Sequence, residues 1–312
     1  MKGLAKGLLT LGIVLILAGI IYRYKDDVLI YVDQYLSPYK YVTLGEVNEY
    51  YRDYDFQYVK NTDNFIPTNP QDLINIYYTV INAGKSTFTF YCTDDYPECI
   101  TDVKELANDQ NKLSDINNYV HPYNGFSHIE TEYDSLGRVT INIVRKYNAT
   151  QIIQVNQRVE ELALELLDYS DTYTNNIKRV HDYIIDISTY DQARANNGDT
   201  TYDSDIAYGP LFQGKAICSG YTDLMQLFLE KLQLKNYRVS SDDHIWNALY
   251  MNGRWLHLDL TWDDPVYSDG SSGITYDYYL LSTKELIQRD NETKKTERHD
   301  FDFDHYLELK EA

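Results

Sequence analysis

The chain has 312 residues, 43% of them hydrophobic, with 28 Lys and Arg against 48 Asp and Glu and a formal net charge of −20. At roughly 100–200 residues per domain, this length accommodates two domains or one plus appendages, with enough apolar residues for true cores. Phosphates repel so acidic a surface, which excludes nucleic acid as a partner.

The first segment, Gly7 to Tyr22, carries no charge and reads GLLTLGIVLILAGIIY. Counted from Leu4, with Lys6 snorkelling, it forms a helix that crosses a hydrocarbon core of about 30 Å at ~1.5 Å per residue. Lys2 and Lys6 precede it. Arg23 and Lys25 follow, but Asp26 and Asp27 dilute that second set. The positive-inside bias then places the amino terminus in the cytoplasm and the body outside. Cleavage as a signal peptide fits poorly, because a cut after Ala18 puts Ile16 where a small residue is wanted. The expectation is therefore a membrane anchor over 1–25 and a juxtamembrane stalk over 26–45, helical around Val28–Leu36 and ended by Ser37-Pro38.

Residues 46–150 read as a small α+β accessory region. A helix starts at Pro70 and ends at Ala83-Gly84. Thr87 to Tyr91 alternates as a strand, Cys99 to Lys112 reads as a second helix, and His128–Asp134 with Arg138–Lys146 reads as a hairpin. No catalytic constellation stands out in it. The chain has three cysteines. Cys92 and Cys99 would close a small loop in an extracytoplasmic domain, leaving Cys218 free; the other reading is three reduced thiols.

Residues 151–312 carry the chemistry. Helices are expected over Val155–Leu167 and Asn175–Ile187. A long polar stretch follows from Ser188 to Gly214, of a length that is usually functional or disordered in compact domains. The next helix, Cys218–Leu232, buries Leu224, Met225, Leu227, Phe228 and Leu232. Two strands, His244–Met251 and Arg254–Leu260, flank Asn252-Gly253, the strongest short hairpin signal.

A thiol at a helix start sees unsatisfied N–H groups and the positive end of the dipole, which favour thiolate; the plain alternative for Cys218 is a buried structural cysteine. In the hairpin, a two-residue turn pairs Met251 with Arg254, so Trp246 opposes Asp259 and Ala248 opposes His257. Residues two apart share a face. His244 and Asp259 are thus diagonal neighbours on one face, and His257 lies there too. A thiol, an imidazole and a carboxylate make a triad in which the histidine takes the thiol proton and the aspartate fixes its tautomer. Parity leaves the choice between His244 and His257 open. Trp246 shares this face and is a candidate to line the substrate cleft, whereas Trp255 and Trp262 read as hairpin core.

Four segments resemble the bacterial transglutaminase-like superfamily. They are Gly214-Lys215-Ala216-Ile217-Cys218-Ser219-Gly220-Tyr221, His244-Ile245-Trp246-Asn247, Asn252-Gly253-Arg254-Trp255, and His257 through Asp259-Leu260-Thr261-Trp262-Asp263-Asp264-Pro265. His181-Asp182-Tyr183, Tyr190-Asp191 and Tyr276 to Ser282 resemble its flanking segments. Ile245 departs from the usual alanine. The resemblance covers about a third of the chain and implies an α+β, papain-like fold: a cysteine-bearing helix packed on an antiparallel sheet. It also implies catalytic Cys218, His244 as base and Asp259 as orienting acid, and so chooses His244 over His257.

The Cys218 backbone N–H is a natural oxyanion donor, with Gln213 and Tyr208 as upstream candidates for a second. Zinc on His244, His257, Asp259 and Cys218 lacks supporting spacing. Calcium at Asp263-Asp264 and Asp269-Gly270 lacks the full loop pattern, and that acidic stretch reads as a solvated loop. No cofactor or metal is expected. The expected function is a membrane-anchored extracytoplasmic thiol enzyme that attacks amide bonds of peptides or proteins at the cell envelope through a thioester. The alternative is a non-catalytic envelope scaffold or binding protein.

Overall fold

The computed structural model describes residues 42–265, 273–293 and 299–310, together with residues 19, 20, 22–25, 32, 37 and 39. The expected anchor over 1–25 and stalk over 26–45 therefore lie almost wholly outside the described residues. Among those described, no helix is long and apolar enough to cross a membrane. Contacts divide the chain into residues 1–43 and 44–312, and the elements that follow all belong to the second unit.

The accessory region opens with α1 (Pro70–Asn82), where the Asn69 side chain accepts from the Asp72 N–H and Pro70 occupies a position that needs no donor. β1 (Thr87–Tyr91) follows as expected from its alternation. The single helix expected over 99–112 is instead two, α2 (Cys99–Asn108) and α3 (Gln110–Asn118). Asp109 breaks them: its backbone leaves the helical region and its carboxylate accepts from the Lys112 N–H, so the side chain that stops one helix starts the next. β2 (Phe126–Tyr133) and β3 (Arg138–Arg145) form the hairpin, and β3 is the centre of a three-stranded antiparallel sheet ordered β1-β3-β2. Cys92 and Cys99 are joined in a disulfide with Cα atoms 5.7 Å apart, and Cys218 is the free cysteine.

Two helices, α4 (Ala149–Leu166) and α5 (Tyr173–Ile187), lead into the second half. α4 begins six residues before its apolar stripe because Asn148 and Gln151 form a reciprocal capping box. The polar stretch 188–214 is ordered. It holds β4 (Thr189–Tyr190), a short α6 (Gln192–Asn197) and a π-helical turn at Gly209–Gln213. β4 pairs in parallel with β5 (Lys215–Ala216), which delivers the chain to α7 (Cys218–Lys231).

α7 is the axis of the core. Leu224, Met225, Phe228 and Leu229 are wholly buried, each contributing about 1.5–3 kcal/mol relative to exposure. It packs on α4, α5 and one face of a second antiparallel sheet, ordered β6-β7-β8. Those strands are β6 (Asn236–Ser240), β7 (Ile245–Met251) and β8 (Arg254–Leu258). The hairpin register is as expected: Met251 pairs with Arg254, Leu249 with Leu256 and Ala248 with His257. Asn252 and Gly253 have φ of 55° and 84°, the paired left-handed conformation of a type I′ turn.

Leu249, Met251, Leu256 and Leu258 point into the α7 core. Trp246 and His257 point to the other face, where Phe301 of the carboxy-terminal segment covers both rings. Leu281, in the flanking stretch Tyr276–Ser282, bridges to His257; α8 (Thr283–Thr293) and residues 299–310, which follow, were not anticipated.

The accessory region is joined to this core by buried charge. Arg238 on β6 pairs with Asp223 on α7 at 2.7 Å, with both side chains buried, and donates to the Asn117 carbonyl of α3 at 2.5 Å. The Tyr147 hydroxyl, between β3 and α4, donates to the other Asp223 oxygen at 3.0 Å. Arg52 reaches the Tyr119 and Asn236 carbonyls and the Glu230 carboxylate.

Candidate active site

Cys218 is the first residue of α7, and its helix-capping neighbour Ile217 offers no side chain to the leading N–H groups. The first N–H groups of a helix have no partner within it, so the Cys218 amide is available as a donor. The start of α7 sits hard against residues 203–204. Ile217 N–H donates to the Ser204 carbonyl at 2.8 Å, and a Cβ on Gly220 would lie 2.2 Å from that same oxygen. Ser204 is in turn held by the Asp191 carboxylate, to which its hydroxyl donates at 2.7 Å. The glycine therefore allows the loop to seat the helix that begins at Cys218.

His244 precedes β7 and closes the β6–β7 turn through its carbonyl, which accepts from Ser241 N–H at 2.9 Å. Its Nε2 donates to Asp259 Oδ2 at 2.6 Å, so Nδ1 is the ring nitrogen turned away from that carboxylate. Burial opposes charge on His244, but the Asp259 carboxylate and the bonds to Asp259 and Cys218 outweigh it, and its pKa is pushed up to about 10. Burial likewise opposes the Asp259 charge, yet His244 and His299 hold its carboxyl well below the usual carboxylate range.

Asp259 is fixed on every side. Oδ1 accepts from the Thr261 and Trp262 N–H groups at 2.9 and 3.3 Å, and its own N–H donates to the Tyr278 carbonyl at 3.1 Å. Its Oδ2 also accepts from a second histidine, His299, at 2.9 Å. Sequence reasoning missed His299. It lies 40 residues beyond Asp259, in a charged stretch with neither apolar periodicity nor a motif.

His257 takes a different place from His244 although it shares the face. Nδ1 accepts from the Trp246 indole at 3.0 Å and Nε2 donates to Thr283 Oγ1 at 2.9 Å. Both nitrogens are thus engaged away from Cys218, and burial lowers its pKa to about 3. The zinc set containing His257 is not assembled. The described residues do bring ligating atoms of His244, Asp259 and His299 together, but these are already joined to one another by hydrogen bonds.

Trp246 is wholly buried and lies beneath the imidazole, its ring stacked at 5.6 Å on His244. It supports the His244 ring from within the core rather than facing an open cleft. The more accessible Trp262 tilts over His244 at 5.8 Å. Gln213 and Tyr208 flank the π-helical turn upstream of Cys218. Gln213 Oε1 accepts from Asp203 N–H at 2.8 Å, which leaves its NH2 as the donor end; the Tyr208 ring packs on Phe212.

The stretch expected to be a solvated acidic loop is buried at Asp263. That carboxylate accepts from Tyr278 N–H at 2.9 Å and contacts His181 Nε2 at 3.3 Å. Burial, only partly offset by His181, raises its pKa. Asp264 accepts from the Tyr221 hydroxyl at 2.6 Å. These acids pin the turn after β8 onto α5 and α7. Positions 269 and 270 lie outside the described residues.

No protein-family profile matches the chain. Over 155 residues it is 24% identical to the human protein named kyphoscoliosis peptidase, a match that covers 43% of this chain and 23% of that protein. The chain thus spans about a quarter of the length of the curated relative it matches. A solved TGase structure aligns over 44% of each chain with a TM-score of 0.34 and 15% identity. A structure of a protein proposed to be a cysteine protease, from Cytophaga hutchinsonii, aligns over 43% of this chain and 61% of its own, with a TM-score of 0.27 and 12% identity. Each of these likenesses covers less than half of the chain.

Proposed function

We propose that the protein is a thiol enzyme that attacks amide carbonyls of peptides or proteins through Cys218, His244 and Asp259. One observation carries the reading: His244 Nε2 is bonded to Asp259 Oδ2 at 2.6 Å, and the Cys218 side chain is among the groups that raise the pKa of the same imidazole. Asp259 holds the ring by Nε2, and Nδ1 is the nitrogen assigned to the thiol proton.

In the first half-reaction the thiolate attacks the carbonyl carbon. The oxygen gains negative charge beside the Cys218 N–H at the start of α7. The tetrahedral species collapses to a thioester as the C–N bond breaks, and the amine leaves with the proton from His244 Nδ1. In the second half-reaction water or an amine attacks the thioester while Nδ1 takes its proton, and the thiolate departs. Water gives hydrolysis, an amine gives transamidation.

The disulfide between Cys92 and Cys99 supports an oxidising compartment. With the apolar amino-terminal run, it favours an extracytoplasmic, membrane-anchored enzyme acting on cell-envelope peptides or proteins. The test is a thiol-reactive amide-mimic probe applied to the purified ectodomain. An adduct at Cys218, lost in His244→Ala, is expected; no adduct on folded protein sinks the proposal.

A further inference from the structure

His299 is wholly enclosed at its side chain. Its Nε2 lies 2.9 Å from Asp259 Oδ2 and its Nδ1 lies 2.9 Å from Asp290 Oδ1, while its own backbone N–H donates to Asp290 Oδ2 at 2.9 Å. With both carboxylates ionised, each ring nitrogen donates and the ring is an imidazolium. Aromatic walls fix its plane: Trp246 stands edge-on at 4.7 Å, Trp262 at 4.5 Å and Tyr278 at 5.0 Å.

We infer that His299, clamped by Asp290, is a positioning residue that shares Asp259 Oδ2 with His244 and so limits how strongly Asp259 holds the His244 proton. This rests on the thiol-enzyme reading above. The four groups form a row, Asp290–His299–Asp259–His244, in which two imidazoles compete for one carboxylate oxygen. A lone buried carboxylate at 2.6 Å from His244 would retain the proton on that ring. The leaving amine needs that proton released, and the second half-reaction needs Nδ1 free to accept one. The cation on His299 draws density from the same oxygen and repels the charge on His244, making the base easier to discharge. Burial disfavours charge on His299, but Asp259 and Asp290 overcome it, with His244 opposing.

The other titratable groups around His299 do not compete for this role. His257 has both nitrogens engaged by Trp246 and Thr283, and burial holds the Tyr278 hydroxyl neutral, pushed up to about 12. Cys218 faces the row from α7 through His244.

The test is the rate of Cys218 alkylation by a small haloacetamide as a function of pH, in the folded protein, with adducts located by mass spectrometry. The upper inflection of this profile is where His244 loses its proton. His299→Gln keeps an N–H toward Asp259 but removes the cation, and should move that inflection upward by about one pH unit. Asp290→Asn, which weakens the hold on the His299 proton, should move it in the same direction. Far-ultraviolet circular dichroism and thermal melting verify that each variant is folded. If either folded variant leaves the inflection in place or lowers it, the row has no such role. If the wild type shows no accelerated Cys218 reaction, the thiol-enzyme reading itself fails, a distinct result visible before any variant is made.

Discussion

The indole N–H of Trp246 donates to Nδ1 of His257 at 3.0 Å, and the other face of the same hairpin residue lies against the ring of His244 at 5.6 Å. One tryptophan thus separates the two histidines of the face: it occupies His257 and supports His244. His244→Ala should slow Cys218 alkylation at neutral pH by about tenfold, since an unassisted thiol is only a few per cent ionised there. His257→Ala should leave that rate largely intact. It should instead cost about 2–4 kcal/mol of stability, through a cavity and an unsatisfied indole N–H. Alkylation kinetics and urea unfolding on the two variants separate the effects, and a reversed ranking would reassign the base.

Gly220→Ala places a methyl 2.2 Å from the Ser204 carbonyl oxygen, and both partners are backbone-fixed. The start of α7 must move. A loss of about 1–3 kcal/mol is expected, with slower Cys218 alkylation in whatever fraction stays folded. Wild-type stability and labelling in this variant would mean that the 203–204 segment gives way freely.

Acidification and alkalinisation should both weaken the fold, for different histidines. Burial holds His257 down to about 3 and also lowers His121. Below the unfolded histidine value of about 6.5, the unfolded chain binds protons that these rings refuse, and stability falls as pH drops. The slope is at most about 1.4 kcal/mol per pH unit for each group. His244 has the opposite sign. Held up to about 10 by Asp259 and Cys218 against burial, it contributes stability that is complete below about 6.5 and disappears as pH rises toward 10. Urea midpoints from pH 4 to 10 should peak near 6.5, and His257→Gln should make the acidic limb shallower.

A single thiol should titrate in the folded, oxidised protein and three after reduction, because Cys92 and Cys99 are joined and Cys218 is free. Replacing both bridged cysteines with serine should cost about 2–3 kcal/mol, as expected for so short a loop, with little effect on Cys218 labelling. Ellman titration and unfolding curves check both statements.

Where local chemistry dictates structure, the sequence was readable. Asn252-Gly253 sets the turn and hence the register that pairs Ala248 with His257, and from it the diagonal approach of His244 to Asp259 follows. The helix starting at Cys218 announces itself by its apolar stripe. The misreadings share a cause: a polar side chain engaged in something other than solvent. Asp109 caps a helix inside what looks like a continuous one. Asp263 looks like part of a loop but is paired with His181 in the interior. His299 is placed by α8, which has few apolar residues and is held through Leu286, Thr283 and Asp290. Sequence spacing carries no record of such distant partners.

The Arg238–Asp223 pair has a consequence for dissection of the protein. Its remaining hydrogen bonds come from Tyr147 and from the Asn117 carbonyl, both in the chain before 151. Excision of residues 151–312 would strip the guanidinium and the carboxylate of these partners and open them to water beneath the very helix that carries Cys218. Breaking into such a pair typically costs about 3–5 kcal/mol. Residues before 151 therefore act as a wall of the half that carries Cys218, and the smallest autonomous unit begins well upstream of residue 151.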